Sequence, residues 1–141
     1  MISSKGRYAL RVMVDLAEHN TGKYIPMKDV AQRQGLSLKY LERILPGLTR
    51  QNLIEGVHGK GGGYRLTRSP DDYTVWEILQ YAEGDLAPVA CLEAGAAVCP
   101  RAGDCRTLPL WKGYYELTKN YFSNVTLAQL MRADPVDQYV I

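Results

Sequence analysis

Gly35-Leu-Ser-Leu-Lys-Tyr-Leu-Glu-Arg-Ile-Leu-Pro-Gly-Leu48 is the stretch that decides the fold of this chain. Leu41, Ile44, Leu45 and Leu48 fall at i, i+3, i+4 and i+7, the spacing that places apolar side chains on one helix face. Ser37 is positioned to cap that helix, because its hydroxyl accepts from a first-turn N–H. Pro46 lies inside the pattern and is expected to kink it, since it lacks a donor and crowds the carbonyl of Glu42. A shorter helix precedes it, with Pro26 in its first turn, running through Val30 and Ala31 to Gly35. Two short helices about a glycine-containing turn outline a helix-turn-helix.

Toward the N-terminus, Ser4 to about Glu18 reads as a helix carrying Ala9, Val12, Met13 and Leu16 on one face, closed by Asn20-Thr-Gly22. Toward the C-terminus, Leu53–His58 and Tyr64–Arg68 are strand-like runs joined by Gly59-Lys-Gly-Gly-Gly63, a β-hairpin with a basic tip. A nucleotide phosphate loop is excluded, because no Gly-Lys-Ser/Thr opens a helix after the glycines. The predicted fold class is mainly α. A winged helix-turn-helix with a small two-stranded wing occupies residues 1–73, and residues 74–141 carry a cysteine loop and a long C-terminal dimerisation helix. In that second region Thr74-Val-Trp-Glu77 reads as a capping box opening a helix to Gly84. A helix follows from near Pro109 to about Asn124, and Thr126-Leu-Ala-Gln129 is a second capping box. The tail after Ala133, with Asp134-Pro135, carries little signal and is expected to fray.

The charge is unevenly spread. Residues 1–70 hold 12 Lys/Arg against 5 Asp/Glu, while residues 71–141 hold 5 against 10. A basic front half carrying a helix-turn-helix is the electrostatic footprint of double-stranded DNA binding. Lys39, Tyr40, Glu42 and Arg43 lie on the part of the helix expected to enter the major groove. There Arg43 is suited to guanine, and Tyr40 to a phosphate or base edge. Glu42 repels phosphates unless it accepts from a cytosine amine, which makes it a candidate selectivity element. Lys60, Arg65 and Arg68 on the hairpin suit phosphates or the minor groove. Lys5, Arg7, Lys28, Ser37 and Gly61 complete the candidate DNA-binding set.

Cys91, Cys99 and Cys105 are the chain's three cysteines, within one fifteen-residue stretch rich in Gly and Ala. Such a loop buries too little apolar surface to order itself, yet it spaces soft thiolates closely enough to converge on a metal. An odd number argues against a disulfide scaffold. No apolar run reaches membrane-spanning length and the N-terminus lacks a signal peptide's apolar core, which predicts a cytosolic protein without a membrane partner. No Cys-x-x-Cys and no close His/Cys pair supports a catalytic dyad, so the chain is not expected to be an enzyme. In the following helix Leu110, Tyr114, Leu117 and Tyr121 form one apolar stripe, with Trp111, Tyr115, Thr118 and Phe122 beside it. So wide a face predicts a homodimer, in which Leu110, Trp111, Tyr114, Leu117 and Tyr121 meet a partner, reading a pseudo-palindrome.

Ser4-Lys-Gly-Arg-Tyr-Ala-Leu10, Gly35-Leu-Ser-Leu-Lys-Tyr-Leu-Glu42, Gly59-Lys-Gly-Gly-Gly-Tyr64 and the cysteine trio before Leu110-Trp111 resemble the IscR-like family of dimeric bacterial regulators. The resemblance reaches to about Leu130. It implies a 2Fe–2S cluster held by Cys91, Cys99 and Cys105, control of cluster-assembly genes, and different operators with and without the cluster. It also places His58 at the wing position that reaches the minor groove, where that branch usually has arginine. The family's ligand histidine is Leu108 here, and the first cysteine gap is longer. The remaining ligand is then a carboxylate such as Glu93 or Asp104, a residue of the other subunit, or water. Three alternatives stay open. A regulator of the same fold can sense nitric oxide, oxidants or cysteine supply through a 4Fe–4S cluster or free thiols. Three sulfurs plus water resemble an open zinc site. A small iron–sulfur redox protein is the alternative outside regulation.

Overall fold

Ser3 opens the first helix, α1 (Ser4–Glu18), by accepting a hydrogen bond from the Gly6 N–H. The face expected to be apolar is the buried one: Ala9, Val12, Met13 and Leu16 expose at most 1% of their surface. The structure is a computed structural model and describes residues 2–131, so the tail after Ala133 lies outside the described residues. α2 (Met27–Gln34) ends on Gly35, whose φ of 64° is the left-handed conformation common at helix C-termini. α3 (Leu38–Arg50) begins where the Ser37 hydroxyl accepts from the Tyr40 N–H at 3.1 Å.

The start of α2 departs from the sequence reading. Pro26 precedes α2 as its N-cap rather than sitting in its first turn. The cause is Ile25, held extended by exchanging backbone hydrogen bonds of 2.8 and 2.9 Å with Tyr64. α3 runs on through Pro46 to Arg50. Burial of Leu48 beyond the proline, in line with Leu41, Ile44 and Leu45, offsets the missing backbone bond.

The wing consists of β1 (Ile54–Val57) and β2 (Gly63–Leu66), antiparallel, with Glu55 opposite Arg65 and Gly56 opposite Tyr64. A bridge from Ile25 to Tyr64 extends the sheet toward α2. Below the wing Tyr73 is fully buried. Its hydroxyl donates to the Leu53 carbonyl (2.7 Å) and accepts from the Thr67 and Arg68 N–H groups (2.9 and 3.2 Å), which pins the base of the hairpin.

α4 (Val75–Glu83), α5 (Leu108–Ser123) and α6 (Leu127–Leu130) complete the described helices. The Thr74 hydroxyl caps α4 by accepting from the Glu77 N–H, but the reciprocal half of the expected box is absent. Glu77 instead takes the Arg68 guanidinium at 2.6 and 3.2 Å, a charge-assisted pair that outcompetes one backbone donor. The second box, Thr126 with Gln129, forms in full. α4 and α6 both pack on α1. Tyr73, Ile78, Ala82 and Leu127 therefore belong to the same core as the helix-turn-helix, and the apolar core crosses residue 73. No residue from 84 to 107 is buried; this cysteine-bearing connection has a single 3₁₀ turn, Ala90–Leu92. Among the described residues no helix is long and apolar enough to cross a membrane.

Candidate functional site

The helix-turn-helix and the wing enclose a groove of about 510 Å³. Lys28 from α2, Glu42 and Thr49 from α3, and His58 from the end of the hairpin all line it. Three of the residues singled out in the sequence are thus brought together by the fold. Lys5, Arg7, Ser37, Lys39, Arg43, Lys60 and Gly61 are exposed. Ser37 is occupied as the α3 cap, and Arg7 leans on Ser4 (3.1 Å) and on the Tyr8 ring. Tyr40 is half-buried, its ring meeting Tyr8 edge-on.

The two wing arginines are engaged within the chain. Arg65 donates to Glu55 (2.7 Å) and to the Gly22 carbonyl (2.8 Å), and its guanidinium lies 4.2 Å from the centre of the Tyr24 ring. Arg68 pairs with Glu77 and covers the Tyr73 ring. Both therefore fasten the wing to its base. Their partners come from strand register and tertiary packing, and basic composition alone gives no hint of them.

Cys91, Cys99 and Cys105 line one cavity of about 240 Å³, closed on one side by Leu108 and Lys112 of α5. Cys105 Sγ lies 3.5 Å from the Thr107 hydroxyl, and the Thr107 side-chain and backbone hydrogen bonds hold this thiol below its ordinary range. Among the described residues no three His, Cys, Asp or Glu side chains are gathered closely enough to hold a metal ion. The donor set nevertheless fits a thiophilic centre: three soft sulfurs share one cavity. The loop that carries them has no buried residue to surrender when it draws together. Glu93 and Asp104 do not line the cavity. Thr107 and Lys112 escaped the sequence reading, although each stands a short helical step from a residue already singled out.

On α5, Leu110, Tyr114, Leu117 and Tyr121 are 61%, 55%, 72% and 67% exposed. The neighbouring row turns inward, with Tyr115 against Trp76 at 6.0 Å between ring centres. Trp111 is half-buried and joins Tyr114, Leu117 and Tyr121 around a hollow of about 840 Å³.

A helix-turn-helix flanked by a glycine-rich wing defines a DNA-binding transcriptional regulator rather than an enzyme. The chain belongs to the Rrf2 family, described as an iron-dependent transcriptional regulator, whose profile matches residues 2–133. It is 34% identical over 137 residues to the HTH-type transcriptional regulator IscR of Photobacterium profundum, covering 97% of this chain and 78% of that protein. The IscR of Serratia proteamaculans is 33% identical over 135 residues, covering 96% and 81%. Among solved structures, CymR, described as the global cysteine regulator of B. subtilis, superposes with a TM-score of 0.73 at 31% identity, covering 92% of this chain and 95% of that one. The T. potens IscR gives 0.70 at 28% identity, covering 99% and 96%.

Proposed function

We propose that this regulator senses iron–sulfur status: Cys91, Cys99 and Cys105 hold a 2Fe–2S cluster, and its occupancy biases how the groove between α3 and the wing grips a promoter. The observation that carries the reading is the shared cavity of the three thiols in a chain with a DNA-binding fold. The family's iron-dependent description and the likeness to the IscR proteins support it. When bound, such a cluster supplies an oxidant-labile iron centre tying three points of the loop together. The remaining roles fall to this chain's own residues. Lys39, Tyr40 and Arg43 face the major groove, and His58 and Lys60 approach the minor groove or its phosphates. Lys5, Arg7 and Lys28 steer the duplex. Residues 1–73 supply the reading surface and residues 74–141 the sensing loop and dimer contact, on a common core.

Anaerobically purified protein is expected to contain iron and sulfide. On a duplex selected from a random-sequence pool by the loaded protein, the Kd should differ about fivefold or more between loaded and chelator-stripped forms. Cys91→Ala should give one Kd under both conditions. Identical affinities for the loaded and stripped wild type would rule the reading out. Glu42→Ala should broaden the sequences selected by relieving the penalty at sites without a cytosine amine; an unchanged consensus would remove Glu42 from selectivity. The exposed α5 stripe is proposed to pair with a second copy. Leu117→Asp, burying a carboxylate in that contact, should shift the sedimentation coefficient from dimer to monomer.

A second reading has its own support. Leu108 offers no metal ligand, and CymR, described as a cysteine regulator, has a similar fold. The cysteines would then act as bare thiols or hold a 4Fe–4S cluster, reporting cysteine supply, oxidants or nitric oxide. Visible absorption separates these, because thiols alone give no sulfur-to-iron bands.

A further inference from the structure

Two carboxylates at the end of α4 tie the cysteine loop to the start of α1. Asp85 accepts from the N–H of Ala87 at 2.8 Å and from the N–H of Ala94 at 2.9 Å; Ala94 lies between Cys91 and Cys99. Two residues earlier, Glu83 is the last residue of α4. Its Oε1 accepts both the backbone N–H (2.8 Å) and the hydroxyl (2.7 Å) of Ser3. The Ser3 hydroxyl oxygen in turn accepts from the Gly6 N–H at the start of α1. The approach is so close that a Cβ on Gly6 would stand 2.2 Å from Glu83 Oε1. The first turns of α1 carry Lys5, Arg7 and Tyr8, and the Tyr8 ring meets Tyr40 of α3 edge-on, 5.3 Å between centres. Contacts therefore run without a break from the cysteine loop to the recognition helix.

We propose that the Asp85–Glu83–Ser3 link is the coupling element of this regulator, and that Glu83 is its positioning residue, touching neither thiols nor DNA. The proposal rests on the cluster-sensing reading and specifies its route. A carboxylate at a helix N-terminus is favoured by the exposed N–H groups and the helix dipole, and hydrogen bonds to a charged acceptor are short and strong. No residue from 84 to 107 is fully buried, so the hydrogen bonds to Asp85 contribute directly to the placing of the loop. Drawing Cys91 and Cys99 together displaces Ala94, and with it Asp85 and the end of α4. Glu83 passes that displacement to the cap of α1, and Tyr8 passes it to Tyr40. Coupling of this kind is a difference in affinity between two states of the loop.

The test uses the full chain, purified anaerobically, and the pool-selected duplex. The Kd is measured for loaded and chelator-stripped forms of the wild type, Glu83→Ala, Asp85→Ala and Glu83→Gln. The wild-type ratio should be about fivefold or more. In both alanine variants iron, sulfide and visible absorption should be retained while the ratio falls toward unity. Glu83→Gln keeps an acceptor oxygen for Ser3 and should restore most of it. Amide exchange at Ser3 and Gly6 should speed up in Glu83→Ala. Asp85→Ala leaves the α1 cap untouched and keeps the test valid if Glu83→Ala folds poorly. Alanine variants that load normally and keep the wild-type ratio overturn the link alone. A wild-type ratio of one overturns the sensing reading and the link with it.

Discussion

Replacing Asp15 by alanine is expected to lower stability by about 3 kcal/mol and the melting temperature by roughly 10 °C for a chain of this size. Asp15 is fully buried in the last turn of α1. Its carboxylate takes the Arg33 guanidinium through two bonds of 2.8 and 3.1 Å and the Gln34 amide through one of 2.9 Å. The hydrogen bond to Asp15 holds the Arg33 guanidinium further above its ordinary range. Truncation leaves those donors without their acceptor beside the core. Arg33 is about one-third exposed and regains water, which keeps the expected loss at the low end for a broken buried pair. The functional consequence follows from geometry. This carboxylate fixes α2 against α1, and α2 sets the angle at which α3 is presented. Asp15→Asn should lose less, because the amide oxygen still accepts. Chemical denaturation measures both, and a loss below about 1 kcal/mol for the alanine variant would show that apolar packing alone orients α2.

Asp15 also marks where the sequence stopped being informative. It lies on the same helical face as Val12 and Leu16, yet a lone carboxylate in an amphipathic helix ordinarily faces solvent. The arrival of Arg33 and Gln34 from another helix makes its burial tolerable. Glu77 departs from its expected box for the same reason, because the partner that displaces the capping bond, Arg68, belongs to the segment after the wing. Arg65 has a basic side chain on a basic hairpin, and its assignment to Glu55 depends on the register that sets them opposite each other. The legible features were those whose chemistry is local. Ser37 capping α3, the ends of α1 and the Thr126–Gln129 box each depend on residues within one turn. The three thiols stand out in the sequence as closely spaced soft donors. Their shared cavity, and Lys112 beside it, depend on how the loop folds back onto α5.

Gly63→Ala is expected to weaken DNA binding about tenfold or more while leaving the helical core folded. Gly63 has a φ of 152°, and a Cβ there would lie 2.1 Å from the Ile25 carbonyl oxygen and 2.4 Å from its carbon. Those atoms are backbone, held by the paired hydrogen bonds between Ile25 and Tyr64, so no side-chain rotation relieves the clash. The strand must part from Ile25, which swings the hairpin tip, with His58 and Lys60, away from the groove. The buried residues of α1, α3 and α4 lie elsewhere, and far-UV circular dichroism should change little. Gly61 provides the control. A Cβ there meets nothing within 4 Å and only its φ of 78° is strained, at a cost of about 1–2 kcal/mol, so Gly61→Ala should bind appreciably more tightly than Gly63→Ala. Salt dependence distinguishes a displaced wing from a general loss of structure. Removing one phosphate contact from the tip should reduce the slope of log K against log salt by about 1. Full affinity with the wild-type slope in Gly63→Ala would mean that the wing does not touch the duplex.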